Sequence, residues 1–548
     1  MSENQSAARS AKAISIATMV SRILGFARDM LMAKLFGATM FADAFLVAFR
    51  IPNLLRRLFG EGALNSSFVP VFIRASRESE EEAQRFTSNT FNILALTLLL
   101  ITALGIVFAD PLVRVMTFSF NAGTTDEKLN LAISLTRIMF PYVFFICLAA
   151  LAMGFLNSKR HFLIPALSPV MLNLSMILFL FLGPLLAGKN GISLQSWTTG
   201  LAWSVIAGGL LQFALHLPPM FSRGFRFRAL LDFTDRRVHQ VMALMGPAAF
   251  GMAVSQINIL VDTMLAWLLG DGAVSALYYS NRLMQLPLAV FGIAIATAFM
   301  PTFSTHAANG KKTELAESVN YALRTVMFIT LPATAGLIVA GKPIIRFLFE
   351  RGRFTATATE WTSEALICYS LGLFFFAGVN ITVKAFYSLE KPGVPVKIGA
   401  LCMLTNVILN LVLMVHMRQS GLALATSISG MLNLALLLLA LRKQLGSVNP
   451  MKNIIATARI TGATALMTWA VWAAQKFLET QTAHPALSSP GSLVLFSIIT
   501  GILAYPCLAR LMGCPELNEF MQILSRRARA AATIPSSDSE VSKGETGS

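Results

Sequence analysis

The sequence predicts an all-α polytopic membrane protein. Fourteen transmembrane helices are expected, arranged as two six-helix lobes in a parallel pseudo-twofold repeat with two further helices towards the C-terminus. Three observations carry this expectation. The 548 residues are 55% hydrophobic and only 13% charged, with a mean hydropathy of +0.65, which soluble domains of this length do not reach. Apolar runs long enough to cross a hydrocarbon core of ~30 Å, about 20 helical residues each, recur along the chain. The two halves also match each other at an offset of about 230 residues, a self-similarity common among transporters.

In chain order, the first lobe (residues 1–220) has runs centred near Leu24, Val47, Leu98, Phe144, Ile177 and Ala207. The second (241–445) has them near Gln256, Val290, Leu331, Phe374, Val407 and Leu432, and residues 446–524 add two more near Met467 and Ile502. Residues 221–240 are basic and partly amphipathic and read as a cytoplasmic linker along the membrane surface. Residues 525–548 have no apolar face and read as a disordered cytoplasmic tail. Glu78 and Glu80 to Glu82 with Arg85 read as a solvated helix start.

Lys and Arg orient the spans. Arg9, Lys12, Arg56, Arg57, Lys159, Arg160, the group from Arg223 to Arg237, Lys311, Lys312, Arg442 and Lys443 fall on one side. The other side offers chiefly Arg114, Lys128, Lys189 and Arg418, with Lys342 to Arg353 as an exception. Both termini are therefore expected in the cytoplasm. The first apolar run carries internal arginines and does not read as a signal peptide.

The repeat rests on collinear matches. Asp29-Met30-Leu31-Met32-Ala33 pairs with Asp262-Thr263-Met264-Leu265-Ala266, and Phe68-Val69-Pro70-Val71-Phe72 with Phe299-Met300-Pro301-Thr302-Phe303. Pro52 pairs with Pro287, and Ile164-Pro165 with Val394-Pro395. Six spans separate equivalents, so the lobes share one orientation and their axis runs along the membrane normal.

Several function classes are excluded. The net charge of +17 sits in short loops between spans, where it sets orientation, and calls for no nucleic acid. Five cysteines and six scattered histidines lack metal-ligand spacing. Gly336 to Lys342 imitates the start of a phosphate-binding loop, but Pro343 stands where a Mg²⁺-binding hydroxyl belongs and no strand precedes it. An enzyme is not expected, nor any cofactor beyond a coupling ion.

The charges inside spans are the informative ones. Within Ser21-Arg22-Ile23-Leu24-Gly25-Phe26-Ala27-Arg28-Asp29, three charges stand in an apolar run from Ala13 to Phe36. A charge at bilayer depth costs a few kcal/mol and normally faces a hydrated cavity. Arg22 and Asp29 share a helical face, Arg28 lies roughly 120° round from Arg22, and Gly25 offers a place for the helix to break. Asp43, Arg50, Arg56 and Arg57 follow in span 2 and Arg282 in span 8, whereas the repeat counterparts of Arg22 and Arg28 are Ser255 and Val261. Arginines around one cavity suit an anion, since guanidinium forks bind phosphate oxygens in pairs. Two plainer readings stand beside this one: snorkelling of Arg22 and Arg28 to opposite interfaces, and structural pairing with acids such as Asp29, Asp43 or Glu61. Asp262 is the acid left at mid-span in the second lobe, and with Asn406, Asn410 and Thr426 it forms a candidate Na⁺ site. Plain interhelical hydrogen bonds, about 0.6 kcal/mol each, a protonatable Asp262, or an Asp262 that simply pairs with a basic group, are the alternatives.

These motifs, together with Ala42-Asp43-Ala44-Phe45, Arg50-Ile51-Pro52-Asn53-Leu54-Leu55-Arg56-Arg57, Glu61-Gly62-Ala63 and Asn281-Arg282-Leu283-Met284-Gln285-Leu286-Pro287, resemble the MurJ (MviN) family of bacterial lipid II flippases. The resemblance runs over spans 1 to 12. It implies a multidrug/oligosaccharidyl-lipid/polysaccharide exporter fold that moves an undecaprenyl-pyrophosphate-linked peptidoglycan precursor across the cytoplasmic membrane by alternating access. It further implies that Arg22, Arg28, Arg56 and Arg282 bind substrate and that Asp29, Asp43 and Glu61 work with them. Asn281 stands where some members carry an acid. The expected partners are lipid II and membrane lipid, with no nucleic acid, and the expected state is a monomer. A drug or polysaccharide exporter of the same architecture is the alternative, which acidic rather than Arg-rich cavity walls would mark for cationic drugs.

Overall fold

The computed structural model describes residues 3–57, 64–119, 126–186, 193–446, 450–480 and 489–518. Glu61 and the expected tail 525–548 lie outside them. The described chain is predominantly helical, with no strand among the described residues. In order, the helices are α1 (Glu3–Phe36), α2 (Met40–Leu55), α3 (Leu64–Glu78), α4 (Glu80–Val107), α5 (Ala109–Thr117), α6 (Glu127–Met139), α7 (Tyr142–Ser158), α8 (Leu163–Leu186) and α9 (Leu194–Ser222). There follow α10 (Arg236–Leu268), α11 (Ala273–Pro287), α12 (Ala294–Ala308), α13 (Lys312–Leu348), α14 (Ala356–Leu371), α15 (Leu373–Ser388), α16 (Gly393–Leu445), α17 (Pro450–Thr480) and α18 (Pro490–Leu511).

All fourteen expected span centres fall on helical residues. Helices and spans do not correspond one to one, for local reasons. Pro141 separates α6 from α7 and Gly372 separates α14 from α15, the latter pair bent by 41°. Pro287 ends α11, and Leu288–Ile293 winds as a π-helix before α12, a wider turn that accommodates the missing proline N–H. In the opposite sense, α16 has 53 residues, which at 1.5 Å each is about 80 Å, more than two bilayer cores. It turns back at Arg418 (φ 50°, ψ −131°), and the expected centres Val407 and Leu432 lie on its two arms. Gly336 to Lys342 is part of continuous α13, so no phosphate-binding loop forms there.

The chain divides into two compact units. The first contains Met1–Arg282, Ile345–Cys368 and Ala400–Thr426, and the second Leu283–Ile344, Tyr369–Gly399 and Ser427–Ser548. In the first, α3, α4, α7 and the segment after α9 share an aromatic core: Phe68 stacks on Phe86 at 5.4 Å, and Phe155 meets Phe72 and Phe225 edge-on at 5.4 and 5.8 Å. Between apolar helices in lipid such packing, rather than release of water, holds the bundle. In the second unit α17 and α18 lie against α13, where the Tyr505 hydroxyl donates to the Phe328 carbonyl at 2.7 Å.

The segment between α9 and α10 differs from the expected linker. Helix α9 runs on to Ser222 and α10 opens at Arg236, capped by Asp235, so only 223–235 is non-helical. Nor is the acidic start of α4 merely solvated. Ser79 caps it by accepting from the Glu82 N–H, while Glu81 pairs with Arg228, Glu78 and Glu82 with Arg237, and Glu80 with Lys159.

Candidate functional site

The first unit holds three polar clusters at buried positions. The first is centred on Asp29. Helix α1 passes Gly25 without a break, so the glycine does not bend the helix as expected. It makes room instead: a Cβ there would lie 2.8 Å from Arg282 Nη2. The bare α1 backbone thus lets the Arg282 guanidinium approach it closely. Asp29 Oδ1 accepts from Arg28 Nε (3.1 Å), Arg28 Nη2 (2.7 Å) and the Tyr278 hydroxyl (3.0 Å), and Arg282 Nε is 2.8 Å from Oδ2. Arg28 also donates to Asn173 Oδ1 (3.1 Å), and Asn173 Nδ2 donates to the Ser21 carbonyl (3.1 Å), fastening α8 to α1.

One carboxylate therefore holds two guanidiniums, leaving a net positive charge. The two differ in access: the Arg28 side chain is 11% exposed and that of Arg282 33%. Arg22, two turns from Asp29 on α1, is exposed. Of the expected substrate residues, Arg28, Asp29 and Arg282 are thus brought together. Arg56 sits at the end of α2, half-buried, donating to Asn53 Oδ1 at 3.0 Å. Tyr278 and Asn173 were not expected. Both had a signal: Tyr278 lies one helical turn before Arg282, and Asn173 is an amide within an apolar span.

Asp43 belongs to a second cluster, not to the arginines. Its fully buried carboxylate accepts from Gly272 N–H (2.8 Å), Ser275 N–H (2.9 Å), the Ser275 hydroxyl (2.6 Å) and Lys128 Nζ (3.0 Å). It is in effect an N-cap for α11 supplied by α2, placed where the helix dipole favours an anion. Lys128 also donates to the Gly270 carbonyl and lies 4.3 Å over the Trp267 ring. At the same end Arg353 N–H donates to the Lys34 carbonyl (3.0 Å), and a Cβ on Gly37 or Gly352 would meet Arg353 O or Lys34 O at 2.3 or 2.4 Å. Both glycines have positive φ. Two backbones, one from each expected lobe, touch there with no side chain between them, at the end of the bundle whose loops, the stretch from Lys342 to Arg353 excepted, are poor in Lys and Arg.

The third cluster joins the four residues expected to hold Na⁺. Asn410 Nδ2 donates to Asp262 Oδ1 (2.7 Å) and to Asn406 Oδ1 (3.0 Å). The Asn406 amide reaches Thr426 Oγ1 at 3.5 Å. Turned over, its nitrogen lies 3.0 Å from Asn258 Oδ1 and 3.2 Å from Asp262 Oδ1, and its oxygen accepts from Thr426 N–H at 3.2 Å. Asn258, one turn before Asp262, completes the group and was missed. Asn410 Oδ1 is buried and accepts no hydrogen bond. A hard-cation donor set of one carboxylate, amide oxygens and a hydroxyl is therefore present with one oxygen unsatisfied.

The comparisons with known proteins agree among themselves. A family model described as "Lipid II flippase MurJ" matches residues 32–487. Among curated proteins the chain is 36% identical over 511 residues to a probable lipid II flippase MurJ of Vibrio cholerae, covering 91% of this chain and 95% of that one. It is 34% identical over 435 residues to the lipid II flippase MurJ of Burkholderia cenocepacia, covering 78% and 82%. Among solved structures, a lipid II flippase MurJ in an inward closed conformation superposes with a TM-score of 0.74 at 30% identity, over 91% of this chain and 98% of that one. An inward-facing multidrug resistance transporter of the MATE family, at 16% identity and a TM-score of 0.63 over 80% of this chain and 98% of that one, shares the fold. The chain belongs to the MurJ family of lipid II flippases.

Proposed function

We propose that the Asp29 cluster is the pyrophosphate clamp through which this chain carries lipid II from the inner to the outer leaflet of the bacterial cytoplasmic membrane. As a MurJ protein it is a transporter serving peptidoglycan synthesis, not an enzyme. The observation that carries the reading is the pairing of Arg28 and Arg282 on one buried carboxylate, with Arg282 partly open and Arg22 exposed. A pyrophosphate offers many more acceptor oxygens than Asp29 and competes for both forks. Each charge-assisted bond transferred to it is worth about 1.5–3 kcal/mol. Asp29 keeps the guanidiniums paired between cycles, since an unpaired buried charge is costly. The Asp43 clasp and the glycine seam keep the base-poor end shut, and alternating access opens it by rocking of the two repeated lobes. That end faces outward and both termini lie in the cytoplasm, as the Lys and Arg distribution implies. The working unit is a monomer.

Asn258, Asp262, Asn406, Asn410 and Thr426 would hold Na⁺. Its bound charge offsets Asp262 and couples the cycle to the sodium gradient.

The test is binding of lipid II to the purified full-length chain in detergent. Arg28→Ala and Arg282→Ala should each weaken binding at least tenfold, as loss of about 1.5–3 kcal/mol requires. Arg282→Lys should recover it only in part, because an ammonium is not a planar fork. Unchanged affinity in both alanine variants would overturn the clamp.

A further inference from the structure

The segment joining α9 to α10 is held along α4 by a ladder of side chains. Gln84 donates to the Gly224 carbonyl (2.8 Å), Ser88 to Arg226 (3.1 Å), Asn92 to Arg228 (2.8 Å) and Leu230 (2.9 Å), and Asn89 to Asp232 (2.8 Å). In return Arg228 N–H donates to Ser88 Oγ (3.3 Å) and Asp232 N–H to Asn89 Oδ1 (2.8 Å). Arg228 on Glu81 and Arg237 on Glu78 and Glu82 pin the strap at the mouth of α4. The Thr234 hydroxyl and N–H donate to Asp232, holding that carboxyl below its ordinary range.

From Gln84 to Asn92 the ladder advances about 12 Å along the helix. It starts beside the acidic first turn and ends where α4 becomes an apolar span whose Leu96, Leu99 and Leu100 are exposed. Along the strap, Phe225 turns inward and is buried, while Phe227, Leu231 and Phe233 are 55%, 55% and 57% exposed. Arg226 and Arg236 are exposed too, and neither guanidinium has a partner among the described residues.

We infer that this strap is a lipid-binding wedge. Phe227, Leu231 and Phe233 enter the boundary between headgroups and acyl chains, and Arg226 and Arg236 take phosphate oxygens of anionic lipid. The ladder is what makes the depth tolerable, because backbone carbonyls cannot approach hydrocarbon unless their hydrogen bonds are already made. Aromatic and aliphatic side chains interleaved with arginine are the composition that the interface selects. A docking site for a soluble protein would not need its carbonyls satisfied beforehand.

The experiment uses the full-length chain with its five cysteines replaced and one fluorescently labelled cysteine at position 227, 231 or 233. Vesicles of phosphatidylcholine carry a minor fraction of phosphatidylglycerol, with quenching bromines on the acyl chains of one lipid or the other. The labels should be quenched, and more strongly by the acidic lipid. An arginine near an anionic surface is worth roughly fivefold, so the pair should give a preference of about tenfold or more. Arg226→Gln with Arg236→Gln should bring that preference close to one while the labels stay quenched. Labels that remain unquenched by either lipid, or a parent chain indifferent to lipid charge, would overturn the inference.

Discussion

Replacing Asp43 by Asn tests the clasp at the base-poor end. The carboxylate satisfies four donors from two stretches of chain: Gly272 N–H and both donors of Ser275 at the start of α11, and Lys128 Nζ on α6. Asparagine keeps the shape but has a single acceptor oxygen, and its amide nitrogen must face other donors. The buried Lys128 then loses its counter-charge and keeps only Asp271, 3.1 Å away and 62% exposed. Breaking a buried ion pair costs about 3–5 kcal/mol, and the help from Asp271 places this one near 3 kcal/mol. That is a factor of a hundred or more in the closed population. Nitroxides on cysteines at Thr39 and Arg351, read by double electron–electron resonance, should show one short distance in the parent. In Asp43→Asn a second, longer distance should appear. Adding Lys128→Met should restore part of the short population, because the orphaned charge is gone. An unchanged distance distribution in Asp43→Asn would refute the reasoning.

The same distance should lengthen in Gly352→Ala, whose new Cβ would sit 2.4 Å from the Lys34 carbonyl at a positive φ, a strain neither backbone can relieve in place. Gly25→Val should insert normally yet bind lipid II more weakly, because the added bulk moves Arg282 off α1; affinity equal to the parent would count against that placement. Asp262→Asn should abolish any response of translocation to an imposed Na⁺ gradient in vesicles. If mutant and parent respond alike, or neither responds, the third cluster is not the coupling site.

The helical, apolar character of the chain was legible because hydropathy marks most of its long helices, and the turn at Arg418 was implied by two separate centres. The in-span charges pointed to Asp29, Arg28 and Arg282; Arg28 has its counter-charge next to it in sequence, whereas Arg282 meets Asp29 only through the fold. Asp262 and its amides were likewise readable as polar groups at helical spacing within apolar segments. Lys128 was not. It lies 85 positions from Asp43 and by charge alone looks like an ordinary loop base. The basic linker after α9 was legible, but the ladder that ties it to α4 was not, since side chain to carbonyl bonds leave no pattern in the residues that accept them. Gly25 was read for its flexibility when its use is close approach, a difference set entirely by Arg282 arriving from another helix.

As a lipid II flippase this chain moves lipid II across the membrane. Depleting it in its host, with lipid II probed from the outer face by an enzyme that cannot cross the membrane, tests this most directly. Lipid II should accumulate and become inaccessible, and access should return with the parent chain but not with Arg28→Ala or Arg282→Ala at matched expression. Undiminished outer-face access after depletion, or full rescue by either variant, would contradict the account.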